Sequence, residues 1–174
     1  MARYAALLRG INVGGITIAM ADLKDVFAGL GFGNVRTVLA SGNVVFDADT
    51  ADTAEAKARI EAALRDRFGY EAFVFVHDQA AVAAIVDAYP FEERDGRHAY
   101  AVFVADPAVL DELAATAEGL DPAVERVARG NGVLYWDVER GQTVKSAFGR
   151  NTGNPRYKAV TTTRNLRTLR KLQV

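Results

Sequence analysis

Apolar and polar residues recur along this chain with two periods, and each change of period marks an element. Tyr4, Ala5, Ala6, Leu7 and Leu8 form a short apolar run suited to a buried strand. Over residues 21–30, Leu23, Val26, Phe27 and Leu30 fall at i, i+3, i+4 and i+7, which predicts a helix stopped by Gly31. Residues 35–40 and Val44-Val45-Phe46 read as two strands joined by the turn Ser41-Gly42-Asn43. Asp52-Thr53-Ala54-Glu55 has the spacing of a capping box and opens the longest helix. Ile60, Leu64 and Phe68 are its apolar stripe, Gly69 closes it, and Ala72-Phe73-Val74-Phe75-Val76 is a further strand.

The order then begins again. A connecting helix over residues 79–89 ends at Pro90, and the charged stretch 91–97 is the place for a domain boundary. Tyr100-Ala101-Val102-Phe103-Val104 reads as a strand, and Asp106-Pro107 supplies an N-cap and an N1 proline for a helix carrying Leu110, Leu113 and Ala117. Residues 124–128 and Val133-Leu134-Tyr135-Trp136 form a hairpin around Gly130-Asn131-Gly132. A short helix near 144–148, turns over 151–155 and a terminal helix from about residue 163 complete the chain. The repeated order predicts an α+β protein of two consecutive ferredoxin-like units of βαββαβ type, with mainly antiparallel sheets and an extra C-terminal helix. The first unit is expected over residues 1–90, including the connecting helix, and the second over 91–174.

Three stretches are distinctive: Arg9-Gly10-Ile11-Asn12-Val13-Gly14-Gly15, Leu39-Ala40-Ser41-Gly42-Asn43-Val44-Val45-Phe46, and Thr162-Thr163-Arg164-Asn165. With them the chain resembles the bacterial family catalogued as domain of unknown function 1697. The resemblance spans nearly the whole chain and implies a similar fold. It implies no established activity.

Composition narrows the function classes. No run of about 18 apolar residues is present, so no membrane-spanning helix is expected. No secretory pattern is visible, and a cytoplasmic location is expected. The absence of cysteine excludes disulfides, a thiolate nucleophile and sulfur-ligated metal. Net charge is −1, but all 22 acidic residues lie in residues 1–139, against twelve Lys and Arg; residues 140–174 carry the other nine Lys and Arg. That basic end suits a polyanion. It equally suits docking on the acidic remainder of the chain, and a pI of about 6.1 weighs towards docking.

Candidate chemistry is sparse. The glycines at positions 10, 14 and 15 match neither the dinucleotide fingerprint nor the P-loop. His77 and His98 lack companion ligands, and no carboxylate pair has acid–base spacing, so neither metal nor cofactor is expected. Tyr4, Tyr100, Tyr135 and Trp136 lie in strands, where core packing explains them more simply than base stacking. Arg9 and Asn12 beside a glycine loop, Ser41 and Asn43 at a turn, and Thr162, Arg164 and Asn165 at an expected helix start remain. These seven residues are expected to gather in one polar pocket accepting an anionic group, or to bond to one another and lock the terminal helix down. Three functions follow: binding of a phosphate-bearing ligand such as a nucleotide or nucleic acid; an enzyme acting on a small anionic metabolite, with Arg9 and Arg164 as electrostatic clamps; or a protein–protein interaction module using a sheet face.

Overall fold

Residues 1–9, 17–39 and 42–173 are described by the structure, a computed structural model. The first half runs β1 (Ala2–Arg9), α1 (Met20–Gly29), β2 (Gly33–Val38), β3 (Asn43–Ala48), α2 (Thr53–Phe68) and β4 (Phe73–Asp78). Its strands lie in the order β2-β3-β1-β4, every ladder antiparallel. After α3 (Gln79–Asp87) come β5 (Arg97–Val104), α4 (Pro107–Ala115), β6 (Glu125–Arg129), β7 (Val133–Glu139), α5 (Ala147–Thr152) and β8 (Thr161–Asn165). The second sheet repeats the order as β6-β7-β5-β8, again antiparallel throughout. A six-residue helix, α6 (Leu166–Lys171), ends the chain. The protein is thus two ferredoxin-like units. By contacts, one compact unit comprises Met1–Ala83 with Lys171–Val174, and the other Ala84–Arg170.

Local chemistry accounts for the boundaries. Asp52 Oδ1 accepts from the N–H groups of Ala54 and Glu55 at 2.9 and 3.3 Å, satisfying two orphan donors of α2. Gly69 then ends α2 in the left-handed region at φ 67°. Asp106 and Pro107 start α4 in the same way, with Asp106 Oδ1 accepting from Ala108 N at 2.9 Å. Two expectations need correction. The residues taken for the start of a terminal helix form β8, which pairs with β5 from Tyr100↔Asn165 to Val104↔Thr161. Three successive β-branched threonines suit a pleated ladder, and the helical stripe of Leu166 and Leu169 begins only after it. The short helix expected near 144–148 starts at Ala147, because Ser146 Oγ accepts from Gly149 N at 3.1 Å and so places the cap at residue 146.

Each unit has its own apolar core. In the first, Phe27, Phe32 and Phe46 pack with ring centroids 4.6–6.3 Å apart beneath α1 and α2. In the second, Trp136 lies between Tyr100 and Phe148, both at 5.3 Å. Trp136 Nε1 donates to Glu125 Oε1 at 3.0 Å, and Phe148 N donates to the other carboxylate oxygen. That buried carboxylate is therefore satisfied. The opposite sheet faces are closed too. Ala5, Leu7 and Val45 of the first sheet are buried, as are Ala101, Phe103, Val133 and Tyr135 of the second. Tyr4, Tyr135 and Trp136 thus have no ring face open to stack a base.

Two substitutions test this packing. Leu169 is fully buried, so Leu169→Ala is expected to cost about 2–4 kcal/mol in chemical denaturation. A cost below about 0.5 kcal/mol, the usual range for surface changes, would mean that the terminal turn is not packed. A Cβ on Gly149 would stand 1.9 Å from the Thr143 carbonyl oxygen, a contact with backbone that no rotamer relieves. Gly149→Ala is therefore expected to lower stability by about 1–3 kcal/mol, and an unchanged melting temperature would refute the close approach.

Candidate functional site

The second unit contains a polar cleft at the end of its sheet where β5 begins and β7 and β8 finish. Its base is built on Asp137 of β7, 2% exposed. Arg97 Nε donates to both Asp137 oxygens at 2.9 and 3.0 Å, while its other nitrogens donate to the carbonyls of Ala123 and Val124 at 3.1 and 3.0 Å. Arg126, directly across from Asp137 on β6, adds Nε and Nη2 bonds at 3.1 and 3.0 Å and stacks on Phe91. One buried carboxylate with two guanidiniums is a paired charge in a low-dielectric place, and it fixes the start of β5 against β6 and β7.

Above this base the cleft encloses about 270 Å³. Its walls are the segment from Glu93 to Asp95, the first residues of β5, Arg140 after β7, and Asn165 with Arg167. Arg140 is set by its own N–H, which donates to Gly96 O at 2.8 Å. Asn165, the last residue of β8, caps α6 by accepting from Arg167 N at 2.8 Å. Arg94, Arg140 and Arg167 are exposed, and none makes a side-chain hydrogen bond or ion pair with a described residue. Glu93 is different. It pairs with Arg170, and hydrogen bonding from that guanidinium holds its carboxyl below the usual range, assisted by the charges of Arg170 and Arg167. His98 lies in the wall with its ring 5.5 Å from Tyr100. Among the described residues there is no group of three or more His, Asp or Glu able to hold a metal.

The residues expected from the sequence are distributed as follows. Arg9 and Asn43 belong to the first unit. Burial lowers the Arg9 pKa, and Asn43, fully buried, donates from Nδ2 to Val38 O at 3.0 Å across the hairpin. Asn12 and Ser41 lie outside the described residues. Thr162 and Arg164 are brought together: alternate residues of β8, they share one face, and Arg164 Nη1 donates to Thr162 Oγ1 at 2.6 Å and to Thr163 O at 3.1 Å. Arg164 is 8% exposed: on a strand, not at the expected helix start, it turns inward. Of the five that are described, only Asn165 lines the cleft. Sequence reasoning missed Arg94, Arg140, Arg167 and His98, although the charged junction 91–97 and Arg140 after the second hairpin were visible signals.

Comparison with known proteins adds the family. The family model described as "Protein of unknown function (DUF1697)" matches residues 1–135. The chain belongs to this family. No curated protein matches. Among solved structures, the conserved bacterial protein SP0830 from Streptococcus pneumoniae superposes with a TM-score of 0.81 at 26% identity, over 99% of this chain and 97% of that one. An unknown protein from Galdieria sulphuraria gives a TM-score of 0.28 at 10% identity, over 94% and 96%, too low to bear on the fold. The Streptococcus likeness supports the fold, and neither it nor family membership carries an activity. Of the cleft, Asp137, Arg140, Asn165 and Arg167 lie beyond the span that the family model matches.

The Glu93–Arg170 pair has a measurable signature. A carboxyl whose folded pKa is depressed contributes stability that is present above its unfolded pKa, near 4.5, and lost as pH falls through the folded value. Wild type is therefore expected to be more stable than Glu93→Gln at neutral pH, with the difference closing below about pH 4. A difference that stays constant to pH 3 in denaturation experiments would show that the pair adds no charge-dependent stability.

Proposed function

We propose that the protein binds a phosphate-bearing ligand in the cleft of its second unit. The observation that carries this reading is the set of three exposed arginines, Arg94, Arg140 and Arg167, whose guanidiniums make no hydrogen bond or ion pair with a described carboxylate, although the charge of Arg167 acts on Glu93. Guanidinium forks match phosphate oxygens in geometry and charge. Asn165 adds an amide to the same wall, and Arg97 is already committed to Asp137 and two carbonyls, so it shapes the site without being free to serve it. Of the other residues expected from the sequence, we assign Asn43, Thr162 and Arg164 to holding local structure, a role supported by their short internal bonds.

Titration calorimetry with a nucleoside monophosphate tests the reading. Arg140→Gln and Arg167→Gln are each expected to weaken binding about tenfold or more, since a hydrogen bond to a charged group is worth about 1.5–3 kcal/mol. Both side chains are exposed, so melting is expected to stay within about 0.5 kcal/mol of wild type. Binding that survives both substitutions unchanged would place the ligand elsewhere.

A further inference from the structure

The charges around the cleft distinguish among phosphate-bearing ligands. A nucleic acid presents phosphates at close, regular spacing, and proteins that follow it offer a continuous track of cations. Here the arginines are interrupted. Glu93, Asp95 and Asp137 stand in the same lining, exposed Glu92 precedes them, and Glu139 sits directly across from Arg97 at the end of β7. Three of these carboxylates, Glu92, Asp95 and Glu139, have no ion pair with a described residue, so an extended polyanion laid across this surface would meet repulsion at several phosphates. The enclosed volume points the same way. About 270 Å³ lies just below the range of roughly 300–1,000 Å³ typical of drug-sized pockets, and so suits one small phosphorylated molecule better than an oligomer.

Asp95 gives the ligand a second chemical requirement. It is an exposed carboxylate in the same wall as Arg94 and has neither a hydrogen bond nor an ion pair with a described residue. An ionised carboxylate only accepts hydrogen bonds, so beside an anion site it discriminates in favour of a neutral donor such as a hydroxyl. Building on the proposed anion site, we propose that its ligand is a small hydroxylated phosphate monoester, such as a polyol or sugar phosphate, rather than a polynucleotide. Arg94, Arg140 and Arg167 receive the phosphate, and Asp95 accepts from a hydroxyl.

Calorimetry on the full chain with three probes decides this: inorganic phosphate, glycerol 3-phosphate and a deoxythymidine decamer. Glycerol 3-phosphate is expected to bind about fivefold or more tighter than inorganic phosphate, as one added hydrogen bond of about 1 kcal/mol predicts. Arg140→Gln is expected to weaken both by about tenfold, and Asp95→Ala, which removes the acceptor, to abolish the preference between them. A preference that survives Asp95→Ala overturns the assignment of the hydroxyl. Tight binding of the decamer, with an affinity falling at about 0.7 per phosphate in log–log salt slope while glycerol 3-phosphate does not bind, overturns the inference and leaves the anion site standing. Binding of none of the three overturns the anion site itself.

Discussion

The buried carboxylate of Asp137 is the constraint on which the second unit turns. At 2% exposure its charge must be compensated, and Arg97 and Arg126 do so from two neighbouring strands. Removing either guanidinium would leave a charge under-compensated in a place water reaches poorly. Because Arg97 also donates to the carbonyls of Ala123 and Val124, the pairing binds the turn before β6 as well. The open cleft therefore rests on a base whose side chains are over-determined, while its rim carries arginines with no such commitments. Rigid support beneath exposed arginines suits the proposed anion site.

The first unit contains the same device in a weaker form. Tyr4 lies opposite Phe46 and Asp78, as Tyr100 lies opposite Trp136 and Asn165. By this register Asp47 corresponds to Asp137. It is held by Arg3 at 2.8 Å and Asn34 at 2.6 Å, one partner from each flanking strand. Hydrogen bonding from Arg3 and then Asn34 holds the Asp47 carboxyl below its ordinary pKa. The hairpin glycines correspond as well: Gly42 and Gly132 both have positive φ, and their carbonyls accept from Leu8 N at 2.8 Å and Val104 N at 3.0 Å. Asp78 and Asn165 each end a fourth strand and cap the helix that follows. Residue identity is low between the halves, yet backbone demands recur position by position.

The charge asymmetry of the chain is also resolved in part. Of the nine cations in residues 140–174, Arg156 and Arg170 pair with Glu112 and Glu93 of the second unit. Arg164 is buried on β8, and Arg140 with Arg167 lines the cleft. A basic segment thus divides its cations between internal pairing and a solvent-facing rim.

Element type and order were legible in the sequence because they rest on local rules. Periodicity identified the helices of Leu23, Val26 and Phe27, of Ile60 and Leu64, and of Leu110 and Leu113; Asp52 and Gly69 marked the ends of the second, and Asp106 and Pro107 the start of the third; and the hairpin glycines paired their strands. Repetition of that order was enough for two ferredoxin-like units. What the sequence could not show was β8, since Thr161 to Asn165 is a strand only because β5 offers a ladder some sixty residues upstream. For the same reason the inward turn of Arg164 was invisible: its direction follows from strand alternation. The cleft was hidden most deeply. Arg94, Arg140 and the pair Asn165 and Arg167 come from three separate stretches, and only the register of β5 with β7 and β8 places them around one concavity. Local composition records a residue's charge, whereas whether that charge finds a partner is decided by the chain segments the fold brings beside it.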